Sequence, residues 1–107
     1  MSPWEIWTYD PGYGDHPAVI ISHARRLSNK PTVEFLLCSS RPAGRLPLPS
    51  EVLLDAADGL NWQTLCKCDL IRADDKSRLH TRRGQVSPAR RREIVKTIIR
   101  AHGWSEV

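Results

Sequence analysis

Seven of the eight prolines in this chain of 107 residues lie in its first half, and they limit the folds open to it. Proline cannot donate a backbone hydrogen bond to a sheet and is excluded from the interiors of helices. The first half is therefore predicted to consist of short strands joined by turns. These seven prolines are Pro3, Pro11, Pro17, Pro31, Pro42, Pro47 and Pro49.

Residue patterns typical of strands lie between these turn segments. Polar residues alternate with aromatic and aliphatic ones in Trp4–Tyr9, whereas Pro17–Ser22 is a β-branched apolar run. The segment His23–Lys30 fits a short turn or a single turn of helix. Strands are predicted over Trp4–Tyr9, Pro17–Ser22, Thr32–Cys38, Glu51–Leu54 and Arg82–Val86, with one or two more within Leu60–Arg72.

The C-terminal segment has the pattern of an amphipathic helix. Ser87 suits the N-cap, Pro88 suits the first helical position, and Gly103 suits the residue after the helix. A helix is predicted over Pro88–His102, with Ile94, Val95, Ile98 and Ile99 on one face. The predicted fold class is mainly β, a small barrel capped by a C-terminal α-helix.

The overall composition is that of one globular domain. Hydrophobic residues make up 40% of the chain and charged residues 26%. No apolar run approaches the roughly 20 residues needed to cross a bilayer, and the N-terminus lacks the pattern of a secretory signal. We therefore expect a cytoplasmic protein without a membrane partner.

The three cysteines are expected to be reduced thiols, because an odd number in a chain without a signal does not suggest a disulfide framework. Cys66 and Cys68 point to the same face if they lie in a strand. Zinc would need two further ligands, so we interpret the pair as small core residues. No metal and no cofactor are predicted.

Positive charge is concentrated in the last third of the chain. The net charge is +4, and residues 72–102 hold ten of the sixteen lysines and arginines but only three acids. Such a distribution indicates a polyanionic partner. Arg90, Arg91 and Arg92 are most simply an exposed helix face that attracts such a partner without specific contacts.

Two segments carry a resemblance to a known family. His16–Ser22, with the sequence HPAVIIS, resembles the RPAVIIS-type strand of MazF/PemK toxins. Cys68–Leu79, with the sequence CDLIRADDKSRL, is similar to the family segment CDQIRTIDKSRL. Gly84, Val86 and Ser87 then precede a terminal helix, as in that family.

The resemblance implies a single MazF/PemK-like domain over residues 1–107, with an SH3-like β-barrel and a C-terminal α-helix. It implies metal-independent endonucleolytic cleavage of single-stranded RNA, usually messenger RNA. It also implies a homodimer that binds RNA along a groove. The partner implied is a cognate antitoxin whose acidic tail blocks that groove.

The chain departs from the family pattern at several positions. The family usually has an active-site arginine before the proline, whereas this chain has His16. The first loop is shortened to Asp10–Asp15, and the family's threonine and small polar residue correspond to Ser39 and Ser40. Lys67 stands where some members have arginine.

Metal-free RNA cleavage needs a base, an acid and groups that stabilise the charged phosphorane. His16 is suited to proton transfer near neutral pH, and Asp69 or Asp15 to acting as base or orienting the histidine. A hydroxyl and cations suit the phosphate, and an aromatic ring suits base stacking. The predicted catalytic residues are His16, Asp69 and Ser39, and the predicted RNA- and phosphate-binding residues are Lys67, Arg72, Arg41, Ser40, Tyr13 and Asp15.

Each of these residues also has a simpler interpretation. His16 is one of four histidines and can be merely solvated, Asp69 can pair with Arg72, and Ser39 can be only a turn residue. Two other functions therefore remain open. The first is a non-catalytic nucleic-acid-binding barrel with a decayed site. The second is an interaction module that binds an acidic antitoxin peptide.

Overall fold

The computed structural model describes residues 1–39 and 44–107, and these ranges contain six strands and two α-helices. Short 3-10 turns lie at Ala56–Asp58, Lys76–Arg78 and Trp104–Glu106. The helices are α1 (Ala24–Asn29) and α2 (Pro88–Ala101). The strands are β1 (Glu5–Tyr9), β2 (His16–Ile20), β3 (Thr32–Cys38), β4 (Glu51–Leu54), β5 (Thr64–Asp75) and β6 (Leu79–Gln85).

The strands form one antiparallel sheet in the order β4-β5-β3-β2-β1-β6. The predicted mainly-β chain with a C-terminal helix is confirmed. Among the described residues the edge strands β4 and β6 do not pair, so the predicted barrel is not closed. None of the helices in the described ranges is long and apolar enough to span a membrane.

Two strand predictions need correction. The segment 60–72 holds one strand, β5, which begins at Thr64 and runs on to Asp75 because its second half pairs with β3. Strand β6 begins at Leu79 instead of Arg82, since Tyr9 of β1 pairs with Leu79. In the segment 23–30, the structure forms the short helix α1.

The sheet carries an apolar cluster on each face. The α2-side cluster includes Ile94 and Ile98 of the helix, together with all three cysteines, which are buried as predicted for core residues. Hydrogen bonding to Cys38 and Cys68, reinforced by burial, raises the pKa of the Cys66 thiol. The α1-side cluster includes Tyr9, Ala18, Phe35 and Leu27.

Helix α2 begins and ends close to the predicted positions, with Ser87 and His102 as its caps. The Ser87 side chain makes no capping hydrogen bond, contrary to expectation. Instead the Ser87 backbone N–H donates to Oδ1 of Asp58 at 2.9 Å. Arg90 in the first turn bonds Asp58 at 2.6 Å and Asp55 at 2.5 Å, so this acid pair holds the helix against the β4–β5 connection.

Candidate functional site

Strand register brings His16 and Ser39 to the same end of the sheet. Ala18 pairs with Leu37 across β2 and β3, so His16, the first residue of β2, and Ser39, the residue after β3, both lie at that end of the sheet. Alternation from Ala18 places His16 on the sheet face of the α1-side cluster. On the other side of His16, β1 contributes its register partner Tyr9. His16 is partly buried there.

Ser39 joins the end of β3 to the start of β5. Its Oγ accepts a hydrogen bond from the Leu65 backbone N–H at 3.1 Å and lies 3.0 Å from Oγ1 of Thr64. Thr64 Oγ1 in turn donates to the Ser39 carbonyl oxygen at 2.6 Å. The hydroxyl of Ser39 is therefore held in place by the first two residues of β5.

A large irregularity in β5 presents two of the predicted site residues. Leu36 pairs with Ile71, but the next pair in the ladder is Cys38 with Cys66, so residues 67–70 of β5 face Leu37 alone. Such bulges bend a strand and redirect its side chains. Cys66 and Cys68 are buried in the α2-side cluster. Lys67, between these two cysteines, therefore turns to the opposite face, and both Lys67 and Asp69 are exposed.

Arg72 is held on that same face by an aromatic ring. It pairs with Phe35 in the β3–β5 ladder, and its guanidinium lies 5.6 Å from the centre of the Tyr9 ring. The Tyr9 hydroxyl donates to Oδ2 of Asp74 at 2.6 Å. Burial and this hydrogen bond raise the pKa of Tyr9. Within the described ranges Arg72 does not pair with Asp69, so the ion pair considered from the sequence is not formed.

Two of the predicted residues, Tyr13 and Asp15, lie in the shortened first loop. The Tyr13 side chain is 75% exposed, and Asp15 Oδ1 lies 4.0 Å from Nε2 of His80 on β6. Asp10, Asp15 and His80 each offer a ligand atom within 4.8 Å of the others, and all three are exposed. Asp15 therefore faces β6, and the absence of a metal from the reaction remains a prediction.

One charged pair beside the site was not recognised in the sequence. Glu51 is the register partner of Lys67 and is buried, and both its oxygens bond Arg45, at 2.7 and 2.9 Å. It also accepts the Leu48 backbone N–H at 2.9 Å. The hydrogen bond from Arg45 lowers the pKa of Glu51. An acid at the start of a strand gives no local signal of this pairing.

Five of the predicted residues lie in or directly beside strands β2, β3 and β5, and three of them, His16, Lys67 and Arg72, lie on the sheet face opposite α2. The predicted binding residues Ser40 and Arg41 lie outside the described residues. Tyr13 and Asp15 are in the loop that precedes β2. The five are His16, Ser39, Lys67, Asp69 and Arg72.

This arrangement is that of a small, mainly-β protein with a C-terminal helix on one side of an antiparallel sheet and with His16, Lys67 and Arg72 on the other. Residues 2–102 match the family described as the PemK-like, MazF-like toxin of type II toxin–antitoxin systems. The chain belongs to this family, as the two sequence segments indicated. A search of curated protein sequences gave no significant match.

Several solved structures share the fold. An endoribonuclease in complex with its cognate antitoxin, from a mycobacterial species, has a TM-score of 0.82 and 24% identity, over 96% of this chain and 95% of its own. The Mycobacterium tuberculosis toxin MazF-mt6 has a TM-score of 0.79 and 19% identity, over 92% and 96%. A MazE–MazF structure from Deinococcus radiodurans has a TM-score of 0.76 and 20% identity, over 96% and 95%.

Proposed function

We propose that this chain is an endoribonuclease toxin that cleaves single-stranded messenger RNA without a metal ion. The observation that carries the proposal is the placement of His16, Lys67 and Arg72 on one sheet face, with Ser39 at the end of the neighbouring strand β3. A proton-transfer group, a hydroxyl and a cation are the groups that metal-free phosphodiester cleavage requires. Membership of a toxin family supports the same conclusion.

In the proposed reaction the 2′-oxygen of the RNA attacks the neighbouring phosphorus, and the bond from phosphorus to the 5′-oxygen breaks. His16 and Asp69 carry out the two proton transfers. One removes the 2′-hydroxyl proton, and the other protonates the leaving 5′-oxygen. The products are a 2′,3′-cyclic phosphate and a 5′-hydroxyl. A rate that stays flat between about pH 5 and 8 would argue against a histidine in either role.

Lys67 and Arg72 bind the non-bridging phosphate oxygens, where negative charge accumulates in the transition state. Ser39 donates a further hydrogen bond to the phosphate in place of its contact with Thr64. Tyr13, as an exposed ring on the first loop, stacks on a base. Asp15, Ser40 and Arg41 complete the proposed RNA contacts.

The proposed partners are a second copy of this chain, single-stranded RNA and a cognate antitoxin. Two related structures are described as a toxin with its cognate antitoxin and as MazE with MazF. We extend that assembly to this chain, as a homodimer whose RNA groove is blocked by an acidic tail. The compartment proposed is the cytoplasm.

The test is incubation of the purified protein with long single-stranded RNAs in EDTA, followed by gel analysis and end-group chemistry. Discrete fragments with cyclic-phosphate and 5′-hydroxyl ends, lost in His16→Ala, would support the proposal. His23→Asn is the matched control: asparagine can still cap α1, as His23 does by accepting from the Arg25 backbone N–H.

The alternatives give different results in the same experiment. Intact RNA with salt-sensitive binding would identify a non-catalytic nucleic-acid-binding protein, because phosphate contacts weaken as salt rises. Binding of an acidic peptide, with neither binding nor cleavage of RNA, would identify an interaction module.

A further inference from the structure

An open cleft of ≈480 Å³ lies in the connection between β4 and β5, apart from the five residues described above. Its volume falls within the range of about 300 to 1,000 Å³ that is usual for small-ligand pockets. Its lining combines amides, an indole and short apolar side chains. The lining residues are Asp55, Ala56, Leu60, Asn61, Trp62 and Gln63.

The cleft has the groups that recognise an unpaired base. Asn61 and Gln63 are exposed, and their amides bond to no other residue in the described ranges. An amide offers both a donor and an acceptor, which suits the edge of a base. Trp62 packs against the α2-side cluster, and the Arg83 guanidinium lies 4.8 Å from the centre of its ring. Guanidinium planes and aromatic rings both stack on bases.

The local charge favours a nucleotide. Asp55 is the one acid among the lining residues, and Arg90 bonds both its oxygens, at 2.5 and 3.2 Å. This hydrogen bond is the largest of the effects that lower the pKa of Asp55. Arg83 meets no carboxylate among the described residues and donates only to Thr8 Oγ1, at 3.4 Å. A phosphate near the cleft therefore meets one uncompensated cation and one neutralised acid.

The cleft is adjacent in sequence to residues that contact Ser39. Gln63 is followed by Thr64, whose Oγ1 lies 3.0 Å from the Ser39 hydroxyl. Leu65, the next residue, donates its backbone N–H to the same Ser39 oxygen. Gln63 is thus one residue from Thr64 and two residues from Leu65, the two residues that position Ser39.

From these observations we infer that the cleft is a specificity subsite that binds one unpaired nucleobase of the RNA. The base stacks on the Arg83–Trp62 pair while the Asn61 and Gln63 amides bond its edge. The inference rests on the proposed ribonuclease function, which it refines by naming residues that select the sequence cut.

The experiment is cleavage of a randomised single-stranded RNA pool, with sequencing of the new 5′ ends, by wild type and by Asn61→Ala and Gln63→Ala. We expect a base preference near the cut in wild type that falls about tenfold or more in either variant. Cleavage averaged over the pool should change much less. Asn29→Ala, an exposed asparagine at the end of α1, is the matched control and should keep the wild-type preference.

An unchanged preference in both variants overturns the subsite and leaves the proposed function intact. A wild-type protein that cuts no RNA overturns the proposed function, and the cleft is then tested by fluorescence anisotropy with labelled RNA pentamers. Loss of base discrimination in Asn61→Ala or Gln63→Ala would support the cleft as a base-binding site. Equal affinity of all proteins for all pentamers would overturn it.

Discussion

The Tyr9 hydroxyl and the Asp74 carboxylate form a 2.6 Å hydrogen bond between residues 65 positions apart. The bond joins the end of β1 to the end of β5, and the centre of the Tyr9 ring lies 4.6 Å from the centre of the Phe35 ring and 5.6 Å from the Arg72 guanidinium. Tyr9 is also the register partner of His16. Its contacts with Asp74 and Arg72 therefore fix the position of His16 relative to Arg72.

Tyr9→Phe keeps the ring and removes only the hydroxyl. We expect the melting temperature at neutral pH to fall by about 4 °C, because a partly buried hydrogen bond to a carboxylate is lost. The raised pKa of Tyr9 means that its contribution to stability is complete below the unfolded-state pKa and is lost as the pH rises through the folded-state pKa. Thermal melts of both proteins from neutral to alkaline pH should therefore converge at high pH.

Ser39→Ala separates a catalytic role from a structural one. We expect RNA cleavage to fall by about tenfold or more while binding of an uncut RNA changes little, since the hydroxyl is proposed to act in the transition state. Some stability should also be lost, because the Leu65 N–H loses its acceptor. The comparison is Thr64→Val, which removes the neighbouring hydroxyl. Equal effects of the two substitutions on cleavage would assign Ser39 a structural role only.

Glu51→Gln tests the ion pair that holds Arg45 beside Lys67. The pKa of Glu51 is lowered, chiefly by its hydrogen bond to Arg45. Its stabilising effect is therefore present above the unfolded-state pKa of about 4.3 and is lost as the pH falls through the lower folded-state pKa. As the pH falls, Glu51→Gln should therefore lose a smaller part of its neutral-pH stability than wild type does. Glu93→Gln, an exposed acid on α2, should keep the wild-type profile.

Gly84 on β6 lies against the chain at Asp58. A Cβ at this position would overlap the Asp58 carbonyl oxygen, so Gly84→Ala must displace the backbone that carries the acid pair beneath α2. We expect a loss of about 2 kcal/mol in the free energy of unfolding, measured by urea denaturation. Gly44→Ala meets nothing within 4 Å and should have no comparable effect. Equal stabilities of Gly84→Ala and wild type would mean that the backbone at Asp58 moves aside without a cost in free energy.

Arg90→Gln tests how α2 is attached. The Asp58 side chain is fully buried and the Arg90 side chain is 22% exposed, so the substitution leaves a buried carboxylate with a weaker partner. We expect about 2 kcal/mol of destabilisation by urea denaturation, less than for a fully buried pair. Arg92→Gln on the exposed side of the same helix is the control. Matching losses in both variants would refute a specific role for Arg90.

The positions of most elements could be predicted from local patterns. Alternating polar and apolar residues in β1 and the β-branched run in β2 specify strands, and Pro88 with the spacing of Ile94 and Ile98 specifies α2. The predicted bounds were wrong where strand pairing sets the length of an element, as at the end of β5. The family could also be identified from two short segments, because each keeps its residues in consecutive order.

The arrangement of the site depended on the tertiary structure. Which residues face each other across β2 and β3, or across β3 and β5, is set by strand register, and register depends on side-chain burial summed over whole strands. The four-residue bulge that exposes Lys67 and Asp69, the contact of Tyr9 with Asp74 and the cleft beside Gln63 all follow from it. The sequence by itself determined the strands, the helix and the chemical groups available, since these depend on near neighbours along the chain. Only the tertiary structure decided which groups meet, because those contacts join residues far apart in the sequence.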